Sequence, residues 1–233
     1  MPTTSAATIE MVLDEFLDEQ QSRLSAATFR KYGSTIELLW MHLNGYGYED
    51  LSDAERERFE RAFNDDGDEE AFCHLFGPEK IVDQIPHFLN WFMLRKVMAR
   101  ESDLRAAATT SRKLVRWLVD RGYVSGESAE LALEASAAAR NDLPAADRVS
   151  SLLYEHTGGF SGPEPPRDGA RIVEDYLTIE RTERGALWFE GGLGPVRVPD
   201  EAAELAKPGW GLWAALACEN GRWRLLEHGV VYP

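Results

Sequence analysis

"TGGFSGPEPPRDG", residues 157–169, divides the chain into two kinds of sequence. Glycine and proline fill seven of its thirteen positions. No apolar period runs through it, which is the composition of a linker between folded regions. Upstream, apolar residues recur at helical spacing; downstream, short β-rich runs are separated by turn signals.

Reading back from the linker, residues 8–23 carry Ile9, Val12, Leu13, Phe16 and Leu17 in the i, i+3, i+4, i+7, i+8 order of an amphipathic helix. Ser25 is placed to cap a second helix whose apolar stripe includes Phe29, Tyr32, Ile36, Leu39, Trp40 and Leu43, ending at Gly45-Tyr46-Gly47. Ser52 and Glu55 have capping-box spacing and start a third helix, which "NDDGDEE" (64–70) interrupts. Pro78 suits the first turn of the next helix, and Pro86 either kinks that helix or restarts it. A long helix is predicted over 103–121 and stops at Gly122, followed by helices over 127–140 and 144–156. Residues 1–156 are thus expected to form an all-α helical bundle.

Reading forward, "IVEDYLTIER", "GALWFEG", "GPVRVP", "WGLWAALACE" and "RWRLLEHGVVY" read as five strands, the last two joined by Asn220-Gly221, a favoured hairpin turn. Five strands in residues 170–233 predict a small antiparallel β barrel of the SH3 or OB kind. The expected fold class is α+β, with two domains on either side of the 157–169 linker.

The chain of 233 residues is 44% hydrophobic and 28% charged, as in ordinary globular proteins. Its formal net charge of -15 opposes nucleic acid as a partner when taken as a whole. Residues 95–121 reverse the sign, with eight bases (Arg95, Lys96, Arg100, Arg105, Arg112, Lys113, Arg116, Arg121) against three acids. The N-terminus has no basic region ahead of an apolar stretch, and no apolar run approaches the roughly 20 residues that span a bilayer. A cytoplasmic protein without membrane contact is expected. Cys73 and Cys218 lie far apart and outside any metal-ligand spacing, so no cofactor or metal is implied. Cys73 reads as a core thiol rather than a nucleophile with His74 as its base. The acidic 64–70 segment lacks the twelfth-position glutamate of a calcium loop.

"TIEMVLDEFLDEQQSRLSAATFRKYGSTIELLWMHL" (8–43), "FLNWFMLRK" (88–96) and "SRKLVRWLVDRGYVSG" (111–126) together resemble the N-terminal core-binding domain of tyrosine recombinases, the phage-integrase class. Ser25, Thr28 and Tyr32 match that family's Ser-x-x-Thr-x-x-x-Tyr stretch. Trp117, Leu118, Val119, Arg121 and Gly122 match the end of a later helix. The resemblance covers about residues 8–125, with an insertion at about 50–78, and implies a SAM-like four-helix domain that grips duplex DNA. It nominates Arg30 and Lys31 on the second helix and Arg105, Arg112, Lys113 and Arg116 on the later one. Independently, 105, 112 and 116 differ by seven and four and so share one side of a helix. On charge alone, the same face reads as a solvated surface whose arginines pair with surrounding carboxylates.

The chain departs from the family after residue 125. It has no His-x-x-Arg box and no tyrosine nucleophile with partners, and no acid, base, nucleophile or metal ligand stands at usable spacing. A non-catalytic protein that binds duplex DNA weakly is therefore expected, with no small-molecule substrate. The alternative is an acidic protein-interaction or regulatory module. It would use Trp188, Trp210, Trp213 and Trp223 of the barrel as an aromatic partner site, with Gly209-Trp210-Gly211 expected on a surface loop.

Overall fold

The computed structural model describes residues 7–162 and 164–233. The chain forms two compact units, residues 1–140 and 141–233.

The first unit is helical. It comprises α1 (Ile9–Gln21), α2 (Ala26–Tyr46), a 3-10 turn (Gly47–Asp50), α3 (Asp53–Glu60), a π turn (Arg61–Asp65) and α4 (Ala71–Leu75). These are followed by α5 (Glu79–His87), a second π turn (Phe88–Phe92), α6 (Met93–Arg95), α7 (Glu101–Asp120) and the start of α8 (Glu130–His156). Local chemistry sets the ends. The hydroxyls of Thr8 and Ser25 accept from the N–H groups of Met11 and Thr28, and Glu55 accepts from the N–H of Ser52. After α7, Gly122 takes φ +74° and the Tyr123 N–H returns to the Leu118 carbonyl at 2.9 Å. Pro86 does not end its helix: the chain stays helical to Arg95, passing into a π turn two residues after the proline.

The stripes read from the sequence form the core, with Ile9, Val12, Phe16, Leu39, Leu43, Leu114 and Leu118 each buried. Phe16 stacks on Tyr32 and meets Trp117 edge-on at 5.5 Å. The 50–78 segment is part of this core: Phe59, Phe72, Cys73 and Phe76 are buried, and the Ile9 N–H donates to the Phe76 carbonyl at 2.9 Å. A Cβ at Gly47 would lie 2.5 Å from the Phe72 ring, so the approach of α4 to α2 requires glycine there.

The second unit holds the rest of α8, a 3-10 turn (Gly159–Ser161), β1 (Arg171–Glu183), β2 (Ala186–Phe189), β3 (Leu193–Arg197), α9 (Asp200–Leu205), β4 (Gly211–Glu219) and β5 (Arg222–Tyr232). The strands close a barrel in the order β1-β2-β3-β5-β4. Each of the five expected runs is a strand, and Asn220-Gly221 forms the β4–β5 hairpin turn with φ of 50° and 75°. On β4, Leu212, Ala214 and Leu216 alternate with Trp213, Ala215 and Ala217, and both sets are buried or half-buried. Both faces of that strand are covered, which accounts for its continuous apolar run.

The structure corrects the sequence reading in four places. The barrel is not wholly antiparallel, because β3 and β5 run parallel, paired at Val196 and Trp223. An odd number of strands cannot alternate direction around a closed ring, so one pairing must be parallel. The helices expected over 127–140 and 144–156 are one helix with Pro144 inside it. Proline at 144 leaves the carbonyl four residues back without its helical donor, and that carbonyl, Arg140 O, accepts from Arg105 Nη1 at 3.2 Å. The compact units divide at 140/141, inside α8, rather than at the 157–169 segment. The C-terminal half of α8 belongs with the barrel because the Ser150 hydroxyl accepts from the Val231 N–H and Arg148 pairs with Glu201. The short α9 carried no long apolar period and was not expected.

Candidate functional site

The basic residues of α7 fall into two groups. At the helix ends they are engaged. Arg105 pairs with Glu101 at 2.9 Å and with the Arg140 carbonyl. Arg121 pairs with Glu19 and lies 3.6 Å from Glu15, with its guanidinium 5.5 Å from the centre of the Trp117 ring. Glu19 also accepts from the Trp117 indole N–H at 2.8 Å, and that bond, followed by Arg121, holds its carboxyl below the usual carboxylate range. The Tyr123 hydroxyl donates to Glu15 at 2.5 Å.

In the middle of α7, Arg112, Lys113 and Arg116 are exposed. Together with Arg140 of α8 and Tyr32 of α2 they line one concavity of about 210 Å³. Its other lining residues are small or neutral, and no carboxylate is among them. Among the described residues, none of these four cations makes a salt bridge. Pairing with carboxylates is found at Arg105 and Arg121 but not at these four.

The expected DNA-contact set is therefore only partly assembled. Arg112, Lys113 and Arg116 come together. Arg105 does not line their concavity. Arg30 and Lys31 line a different one, of about 520 Å³, with Ser34, Met93, Met98 and Asp103. Arg140 was missed because it stands alone in an Ala-rich stretch with no basic neighbour in sequence.

The four barrel tryptophans do not form one platform. Trp210 is 4% exposed, which corrects the surface-loop expectation: its carbonyl accepts from Ile179 N–H at 2.8 Å and its N–H donates to Lys207 O, fixing the segment against β1. Trp213 packs on Ala215, Ala217 and Leu226. Trp188 lies under the Arg181 guanidinium, 3.9 Å from ring centre to cation. Trp223 lines a second basic concavity, of about 680 Å³, with Arg167, Arg197, Arg222, Arg224 and His156.

Cys73 is fully buried, and burial, then the Glu70 charge, push its thiol up. His74 turns instead to Asp68 at 2.9 Å, which raises its pKa. Asp68, in the acidic 64–70 segment, is thus already engaged, and no group of three or more His, Cys, Asp or Glu side chains among the described residues is arranged to hold a metal ion. No described helix is long and apolar enough to cross a membrane. Comparison with protein-family models, curated proteins and solved structures finds no match to this chain.

Proposed function

We propose that this chain is a non-catalytic binding protein whose helical unit takes duplex DNA by its phosphates, through Arg112, Lys113, Arg116 and Arg140. The observation that carries this reading is the concavity these four cations line without a carboxylate. Guanidinium groups without salt bridges are free to take phosphate oxygens, and Arg does so bidentately. The resemblance of residues 8–125 to the recombinase core-binding domain supports Arg112, Lys113 and Arg116, since that family uses its last helix on DNA; the second-helix pair Arg30 and Lys31 lines another concavity. The net charge of -15 weakens binding less than its size suggests. At 0.1 M salt, charges further than about 10 Å away are largely screened, so the local +4 governs contact. A cytoplasmic location suits this role, with Cys73 and Cys218 both free thiols.

The test is fluorescence anisotropy of a labelled duplex. Four phosphate contacts give a slope of about -3.6 in log K against log salt, or roughly 100-fold weaker binding between about 50 and 200 mM. Arg112→Glu with Arg116→Glu brings the four-cation sum to zero and is expected to abolish binding while changing folding stability by less than about 0.5 kcal/mol. A flat salt response, or a double variant that binds as the wild type does, removes DNA as the partner.

A further inference from the structure

The second basic concavity, on the barrel, is independent of the helical face. It lies where β3 and β5 meet, beside their one registered pair, Val196 and Trp223. Four guanidinium groups (Arg167, Arg197, Arg222, Arg224) face one carboxylate, Glu219. That carboxylate is already occupied: it accepts from the Arg167 N–H at 3.0 Å and from Arg224 Nη2 at 3.4 Å. Arg224 is further fixed by its bond to the Glu164 carbonyl at 2.8 Å. Glu219 thus orders two arginines at the wall of the concavity.

Arg197 and Arg222 are different. Both are exposed, and among the described residues neither makes a salt bridge. The type I′ turn at Asn220-Gly221 sets Arg222 opposite Glu219 and Trp223 opposite Cys218, so cation and indole are successive residues at the start of β5. The Arg171 guanidinium sits 5.5 Å from the centre of the Trp223 ring and adds a fifth positive group beside it. His156 borders the same space, its Nε2 bonded to the Arg197 carbonyl at 3.1 Å. The size lies in the range of small-ligand pockets, but the lining is far more cationic than such pockets usually are. An excess of guanidinium groups calls for an anion with several oxygens, and a half-buried indole among them calls for a planar ring.

We propose that this concavity is a nucleotide site, with phosphate oxygens on Arg197 and Arg222 and the base against Trp223. The nucleotide is either free or one link of a single strand. Both present the same phosphate-and-base chemistry.

The experiment uses the full chain carrying Arg112→Glu and Arg116→Glu, so that the helical face is silent. At low salt, tryptophan fluorescence and calorimetry follow titrations with ATP and, separately, with a single-stranded oligothymidylate. Binding of ATP alone assigns a free nucleotide. Binding of the oligonucleotide without ATP assigns a strand. Adding Arg197→Glu and Arg222→Glu is expected to weaken either by more than about tenfold, and Trp223→Ala by about tenfold. Neither probe binding overturns the proposal, as does unchanged affinity in the arginine variants. Unchanged affinity in Trp223→Ala overturns the assignment of a base. Duplex binding by Arg197→Glu, Arg222→Glu protein with an intact helical face is measured in parallel. It is expected to persist, so failure of this site and failure of the duplex reading are seen separately.

Discussion

The middle of α7 and its two ends carry the same type of residue in opposite circumstances. At the C-terminal end, Arg121 meets Glu19 and Glu15 of α1, and Trp117 and Tyr123 donate to the same two carboxylates. At the N-terminal end, Arg105 is held by Glu101 and by the carbonyl that Pro144 leaves free. Between them, Arg112, Lys113 and Arg116 line a concavity with Tyr32, Ser136, Ala137 and Arg140, and no acid is part of that lining. The helix is the same; the neighbour differs. An arginine in an acidic protein becomes a structural clamp or an available cation according to the side chains around it, one turn away for Arg105 and on another helix for Arg121.

The largest effect should come from breaking the clamp. Trp117 is 5% exposed, meets Phe16 edge-on and donates to Glu19. Trp117→Ala is therefore expected to lower unfolding free energy by about 3 to 5 kcal/mol in urea titration. Arg116→Ala, one residue earlier, should leave stability within about 0.5 kcal/mol of wild type. Equal losses at the two positions would erase the distinction between end and middle.

A second effect sharpens the comparison by pH. No carboxylate or histidine lines the concavity of the middle cations, whereas the core around α2 contains His42, fully buried. Its Nε2 donates to Gln84 Oε1 at 3.0 Å, and Gln84 in turn donates to Asp50 at 2.7 Å. Burial, and then the His87 charge, lower the His42 pKa to about 4. The unfolded chain takes up this proton near pH 6.5 and the folded chain only near 4, so the stability held by the neutral ring is complete above 6.5 and lost as pH falls towards 4. The expected loss is about 3 kcal/mol, partly offset by His74, whose raised pKa favours the folded state on acidification. His42→Gln should flatten the stability curve in that window and leave duplex binding untouched. A curve as steep as wild type would remove His42 as its cause.

The smallest effect converts the middle into an end. Ala137 is exposed and lines the concavity of Arg112 and Arg116. Ala137→Glu supplies the missing carboxylate, and duplex affinity should fall about tenfold, with a shallower salt slope and unchanged stability. Affinity equal to wild type would mean that these cations do not meet phosphate.

Much of this was readable in the sequence. The apolar periods placed the long helices α1, α2 and α7, and short β-rich runs placed all five strands. Asn220-Gly221 marked the hairpin because few dipeptides accept two successive positive φ angles. Cys73 was read as a core thiol and is one. These are properties of neighbouring residues, and the chain carries them without reference to its fold.

Other features depend on residues brought together from far apart. Pro144 signalled a break, but one backbone carbonyl and a guanidinium 35 positions earlier make a continuous helix possible. A Trp between glycines suggested a loop tip, yet pairing with β1 buries it. The basic segment was visible as a run of letters, but which of its cations are available was not. That division follows from Glu15 and Glu19 on α1, from Glu101 one turn before Arg105, and from a concavity whose lining carries no carboxylate. The concavity of the barrel likewise draws Arg167, Arg197 and Arg222 from three separate places in the chain. Sequence determined the elements, because hydrogen bonding and apolar period are local. Tertiary structure decided which charges are neutralised, because the energy of an ion pair depends on distance in space and not on separation along the chain.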